Sequence, residues 1–173
     1  MKKIYITLLM FLISASTFLN AQENVSGIED YAVYRLKVGG QYVTYQLSPD
    51  EGSTNNVLIE DARDGSNNLA QYFILRSDNG IIYAFSAVDP SMAIVYKRDD
   101  FVSLEKYSEE EKAKFGLEFT FDGGNTFNIF SPEDRSNYFG RTGLNGLKVV
   151  RSDQVTQSDK TNFVLEKATL PKL

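Results

Sequence analysis

The chain has 173 residues and a formal charge of -5, with 12 Phe and 10 Tyr but neither Cys nor His. Without those two residue types it can build no Ser-His-Asp or Cys-His nucleophilic site and no His or Cys zinc cage, so carboxylate chemistry is the catalytic option left. The 23 acids are scattered over turns and single out no pair for glycoside hydrolysis. The acidic balance also lacks the Lys and Arg surplus that drives binding to nucleic acid or to an anionic membrane.

In chain order, Lys2 and Lys3 precede an apolar run from Ile4 to Ile13, and a small residue follows at Ala21. This reads as a secretory signal peptide over residues 1–21, the apolar run being too short to span a bilayer comfortably. Its removal takes away two lysines and moves the formal charge from -5 to -7. Residues 22–30 read as a loose segment carrying the sequon Asn24-Val25-Ser26, residues 31–167 as one all-β domain, and residues 168–173 as a C-terminal tail. A domain of that size buries a core without disulfides. The expected location is secreted or periplasmic, with no membrane insertion once the signal is removed.

Short runs rich in Tyr, Phe, Val and Ile, separated by Gly, Asp, Asn and Ser, predict twelve strands. They are Ala32 to Val38, Tyr42 to Leu47, Val57 to Asp61, Gln71 to Arg76, Ile81 to Phe85, Met92 to Lys97, Val102 to Lys106, Phe115 to Phe121, Thr126 to Phe130, Tyr138 to Arg141, Leu147 to Arg151 and Asn162 to Glu166. Ser108 to Lys114 reads as the single helix, with Ser108 and Glu111 at capping-box spacing. Its charges mark a solvated connection rather than a recognition patch.

Repetition organises these strands. Phe73 and Leu75, Phe115 and Leu117, and Phe163 and Leu165 each place an aromatic and a leucine on one strand face, at intervals of 42 and 48 residues. The apolar pairs Val57 and Ile59, Val102 and Leu104, and Leu147 and Val149 recur every 45 residues. Asp78-Asn79-Gly80 and Asp122-Gly123-Gly124 supply turns after the first two aromatic strands. Four short strands cannot bury a face alone, so three such units must share one core, which predicts a β-trefoil of pseudo-threefold symmetry in which the three Phe residues meet. A lipocalin-like eight-stranded barrel is the alternative fold.

The stretch from Gln71 through Phe73 to the Asp78-Asn79-Gly80 turn and Ile82 resembles the ricin-type β-trefoil lectin repeat, with Phe73 where that family has Trp. The resemblance implies an extracellular, non-catalytic carbohydrate-binding module with shallow sites on up to three units. It also implies a sugar site made of an Asp ending the second strand, an aromatic near the third, and an Asn-Gln pair before the signature aromatic. Here the Asp positions hold Thr44, Ile94 and Gly140, and the Gln positions hold Gln71, Ala113 and Thr161, so the family's sugar motif is degenerate.

The unit best placed to keep a site is the first, where Gln71, Thr44, Tyr45, Glu60 and Asp61 converge from neighbouring strands. Gln71 has a second reading, in which its amide ties strand ends to the backbone. Tyr42 and Tyr45 stand on alternate faces, which predicts that one of them is exposed. Asp61 to Asn68 offers oxygen ligands and a glycine but lacks the acid spacing and closing Glu of an EF-hand, so no metal and no cofactor are expected. The expected partner of this monomer is a carbohydrate or, alternatively, an extracellular protein, as for a protease inhibitor. The loops Ser48 to Asn56 and Asp61 to Asn68 would then form the contact surface.

Overall fold

The computed structural model describes residues 28–46, 55–63, 69–95, 102–121, 126–132, 136–142, 146–151 and 162–171. The expected signal peptide, the sequon, the turn at 122–124 and most of the two loops 48–56 and 61–68 lie outside them. The described part is all-β, and each predicted strand has its counterpart. The strands are β1 (Ala32–Val38), β2 (Gln41–Gln46), β3 (Asn55–Glu60), β4 (Phe73–Asp78), β5 (Ile81–Ser86), β6 (Met92–Val95), β7 (Ser103–Lys106), β8 (Glu118–Phe121), β9 (Thr126–Phe130), β10 (Asn137–Thr142), β11 (Gly146–Arg151) and β12 (Phe163–Lys167).

Six of them close on themselves. β1 pairs with β4, β4 with β5, β8 with β9, β9 with β12 and β12 with β1, all antiparallel. A bridge between Ile82 and Leu117 joins β5 to the start of β8. Closure leaves no free edge among these six strands. The remaining six form three hairpins, β2–β3, β6–β7 and β10–β11. Their inner strands touch one another: the Val57 N–H donates to the Val102 carbonyl at 3.1 Å, the Val102 N–H to the Leu147 carbonyl at 3.0 Å, and Gly146 pairs with Leu58. The residues repeating every 45 positions are thus the ones where the hairpins meet. An eight-stranded up-and-down barrel does not fit, because β1 pairs with β2, β4 and β12.

Local chemistry explains the strands. β1 alternates buried Tyr34, Leu36 and Val38 with half-buried Val33, Arg35 and Lys37, the period of two of a strand with one face on a core. Asn79 and Gly80 both have positive φ, 51° and 84°, between the register partners Asp78 and Ile81, so this Asn-Gly pair makes the tight two-residue turn whose twist suits an antiparallel hairpin. β5 has apolar side chains on both faces: Ile82 and Ala84 join the central core, whereas Tyr83 joins a second cluster with Ala93, Val95 and Phe115.

That division corrects two expectations. Phe73 and Phe163 are buried in the central core with Leu75 and Leu117, and Phe163 lies 6.0 Å from the ring of Phe127. Phe115 is equally buried but belongs to the second cluster, and Leu165 only packs against the core from a half-buried position. The reason lies in the backbone. Phe115 ends a four-residue 3-10 turn, Lys112–Phe115, instead of opening a strand, so its ring leaves the line set by Phe73. Gly116 then lets the chain pass tight against β5, where a Cβ would stand 2.9 Å from the Ile81 side chain.

The helix predicted over Ser108 to Lys114 shrinks to that 3-10 turn. The Glu111 N–H donates to the Ser108 carbonyl at 3.2 Å and no side chain caps the turn; seven residues are too few to recover the cost of nucleating an α-helix. The expectation of one exposed tyrosine in β2 also fails: Tyr42 and Tyr45 are both buried. Their faces do differ, but Tyr45 enters the core while Tyr42 lies beneath the Arg35 guanidinium, 3.5 Å from the ring centre.

Candidate functional site

Gln71 closes a single 3-10 turn at residues 69–71, just before β4, rather than lying in the strand. Its side chain is fully buried. The carbonyl oxygen accepts from the Arg35 guanidinium at 2.9 Å and from the Arg63 N–H at 3.1 Å. The amide nitrogen donates to the Thr44 hydroxyl at 2.9 Å and to the Asp61 carbonyl at 2.8 Å. Two donors and two acceptors are what a glutamine amide has, so its bonding capacity is used up.

Thr44 and Tyr45 serve the same brace. The Thr44 hydroxyl donates to the Tyr42 carbonyl at 3.1 Å. The Tyr45 hydroxyl donates to the Leu69 carbonyl at 3.0 Å and accepts from the Val88 N–H at 2.9 Å, while its ring meets Phe73 edge-on at 5.5 Å. Burial raises the pKa of this hydroxyl above the ordinary tyrosine value. The structure therefore brings Gln71, Thr44 and Tyr45 together, but inside the domain, where they tie the 69–71 turn to β2, β3 and β5. Gln71 thus makes the tie to the backbone that its second reading describes, and the side chains of all three residues are buried.

Glu60 and Asp61 stand at the surface end of β3 and form a rim above that brace. The Asp61 carboxylate is exposed and accepts from the Gln41 amide at 3.1 Å; the Gln41 carbonyl oxygen in turn accepts from the Arg141 guanidinium at 2.9 Å. Glu60 accepts from Arg63 Nε at 2.9 Å, forms an ion pair with the same guanidinium, and accepts from the Gln46 amide at 3.4 Å. Asp61, Gln41 and Arg141 thus form one chain of polar contacts across β2, the end of β3 and β10, and Glu60, Arg63 and Gln46 form another. Asp61 divides its work, the backbone carbonyl to Gln71 and the side chain to the rim.

The rim contains residues that the chain pattern did not single out: Gln41, Gln46, Arg63 and Arg141. Gln41 and Gln46 are the two ends of β2; the β2–β3 register pairs Tyr42 with Glu60 and so sets Gln41 beside Asp61, whereas Gln46 stands opposite Asn56 and meets Glu60 only through its side chain. Arg141 comes from β10, 100 residues away from Gln41, and only the meeting of the hairpins brings it there.

A second polar centre lies on β4 and β5. Arg76 sits opposite Tyr83, with its guanidinium 4.7 Å from the Tyr83 ring centre, 5.2 Å from Tyr107 and 5.6 Å from Phe85. One terminal nitrogen donates to the Tyr107 hydroxyl at 2.6 Å and the other to the Glu109 carboxylate at 3.1 Å. Burial opposes the charge on Arg76, yet the hydrogen bonds with Glu109 and Tyr107 outweigh it and raise the pKa further above the usual arginine value. The same bonds, from Arg76 first and Tyr107 second, hold the Glu109 carboxyl below its usual range. Among the described residues no group of three or more acids lies together as a metal would need.

No protein-family model matches the chain, and no characterised protein matches it in sequence. Solved structures do match in shape. The C-half of the earthworm R-type lectin, solved in complex with GalNAc, shares 14% identity at a TM-score of 0.55, covering 79% of this chain and 99% of that one. The chain shares the fold of R-type lectins. A mosquitocidal holotoxin matches at a TM-score of 0.66 and 11% identity over 82% of this chain, and an α-L-arabinofuranosidase at 0.64 and 14% over the same share. This chain spans 18% of the length of the toxin and 32% of that of the arabinofuranosidase.

Proposed function

We propose that the protein is an exported, non-catalytic β-trefoil module that binds carbohydrate through the Glu60–Asp61 rim of its first unit. Six strands closed into a ring and three hairpins meeting at Val57, Val102 and Leu147 support the trefoil reading. The likeness to the C-half of an R-type lectin, over 99% of that chain, supports the ligand class.

The observation that carries the proposal is the rim itself. An exposed carboxylate, Asp61, is held in place by Gln41, which is held by Arg141, over a brace whose polar atoms are all engaged. Fixed acceptors beside fixed donors suit vicinal hydroxyls, and charge-assisted hydrogen bonds give such a site its selectivity. Both rim carboxylates act as acceptors from neighbouring donors, which suits holding hydroxyls rather than delivering a proton to a glycosidic oxygen.

The test is a glycan array with the wild-type protein and the Asp61→Ala and Gln41→Ala variants. Binding to a defined neutral glycan that falls about tenfold or more in both variants, while the fold stays intact by circular dichroism, supports the reading. Binding that survives both substitutions removes the rim from the site. A blank on all glycans, with capture of one extracellular protein, shifts the assignment to a protein-binding trefoil.

A further inference from the structure

The centre around Arg76 has the makings of a second site, of a chemistry different from the rim. Arg76 is mostly covered, with 19% of its side chain exposed, and its Nε, like that of Arg35, is buried without a hydrogen-bond acceptor, so the two centres differ in the partner of the terminal nitrogens. The carboxylate that neutralises it belongs to Glu109, whose side chain is 65% exposed. Glu109 comes from the turn between β7 and the 3-10 segment, not from a packed element. Three neighbouring acids have cations of their own: Lys112 stands 3.6 Å from Asp78, and Lys114 stands 3.3 Å from Glu105 and 2.7 Å from Glu111.

A covered guanidinium neutralised by a solvent-borne carboxylate is exchangeable in a way that the equivalent contact of Arg35 is not. Arg35 also stacks on a tyrosine, but its partner is the fully buried amide of Gln71, which no solute can replace without opening the domain. At Arg76 an incoming carboxylate needs only to displace the Glu109 side chain, whose exposed ion pair is weak.

We infer that the bay formed by Arg76, Tyr107 and Phe85 binds the carboxylate of an acidic sugar, a uronate, and that Glu109 holds the place of that carboxylate when no ligand is present. The planar guanidinium offers paired N–H donors to a carboxylate. The half-buried rings of Phe85 and Tyr107, which flank the guanidinium, supply apolar surface beside the carboxylate position, and the Tyr107 hydroxyl, already bonded to Arg76, can exchange bonds with a ring hydroxyl. The choice of a sugar as the carrier of the carboxylate rests on the carbohydrate reading proposed above; the anion site itself rests on the geometry of Arg76.

The experiment titrates 15N-labelled protein with glucuronate, with glucose and acetate as controls, and follows the Arg76 Nε–Hε signal and the backbone amides of residues 105–111 by NMR. Glucuronate is expected to give a saturable shift that glucose does not, with acetate at least about tenfold weaker. Glu109→Gln, which removes the competing charge, is expected to tighten glucuronate about threefold. Arg76→Lys keeps the charge but loses the planar fork, and is expected to weaken glucuronate about tenfold at the backbone amides.

Absence of a saturable shift in Glu109→Gln overturns the site, and acetate binding as tightly as glucuronate overturns the sugar class. The two proposals fail separately. Asp61→Ala should leave the glucuronate shift unchanged, so array binding lost in Asp61→Ala with glucuronate silent removes the bay alone. A blank array with the glucuronate shift intact removes the rim and leaves the bay standing.

Discussion

Two arginines on adjacent ring strands make the most instructive pair in the molecule. Arg35 and Arg76 both lay a guanidinium over aromatic rings, yet one serves the fold and the other faces outward. Under Arg35 every donor and acceptor of Gln71 is engaged, and the amide is sealed by Thr44, Asp61 and Arg63. Over Arg76 the counter-charge comes from an exposed turn. A charge held by a buried, fully engaged amide marks structure, while a covered charge with a loosely held partner marks a place where something else can bind.

The comparison breaks most sharply at Gln71. Gln71→Ala removes four hydrogen bonds, to Arg35, Arg63, Thr44 and the Asp61 carbonyl, and is expected to destabilise the domain by about 3 kcal/mol, lowering the midpoint in urea with little change in slope. A glycan signal lost in that variant would report unfolding as readily as a missing contact, which is why the rim is tested at Asp61 and Gln41. Tyr45→Phe removes one hydroxyl that bridges Leu69 and Val88 and should cost about 1.5 kcal/mol by the same measurement.

On the other side, Arg76→Gln gives up contacts with the buried Tyr83 ring, two half-buried rings and an exposed carboxylate, for an expected loss of about 1 kcal/mol. Equal losses for Gln71→Ala and Arg76→Gln would erase the distinction between the two centres. Glu109→Gln should leave the urea midpoint unchanged within error.

The smallest effect concerns alkaline pH. Tyr45 and Tyr107 both have pKa values raised by burial above the ordinary tyrosine value near 10. Above the unfolded value the folded state keeps protons that the unfolded state has released, so stability is complete below it and falls as pH rises through the folded values. Tyr45→Phe should flatten that fall, which a series of urea midpoints from neutral to alkaline pH will detect.

The strands were legible because their signals are local. Alternation in β1, the Asn79-Gly80 turn and the 45-residue recurrence of Val57, Val102 and Leu147 depend on side-chain periodicity and backbone preference, which a chain carries wherever it goes. The nearness of Gln71 to Thr44 and Asp61 was legible for the same reason, since they lie on consecutive elements. What each does there was not. A Tyr that alternates in sequence is exposed or buried according to what covers its face, and Tyr42 is covered by Arg35 from the neighbouring strand of its hairpin.

Phe115 shows the limit most clearly. It matches Phe73 and Phe163 in spacing to a leucine, yet a 3-10 turn and the close passage at Gly116 send its ring into a different cluster. By itself the sequence determined an all-β chain of short repeated strands, because period-two burial and turn chemistry act over a few residues. The tertiary structure alone decided which polar groups are sealed and which are open, because that depends on Arg141 reaching Gln41 and Glu109 reaching Arg76, contacts made only when distant strands pack together.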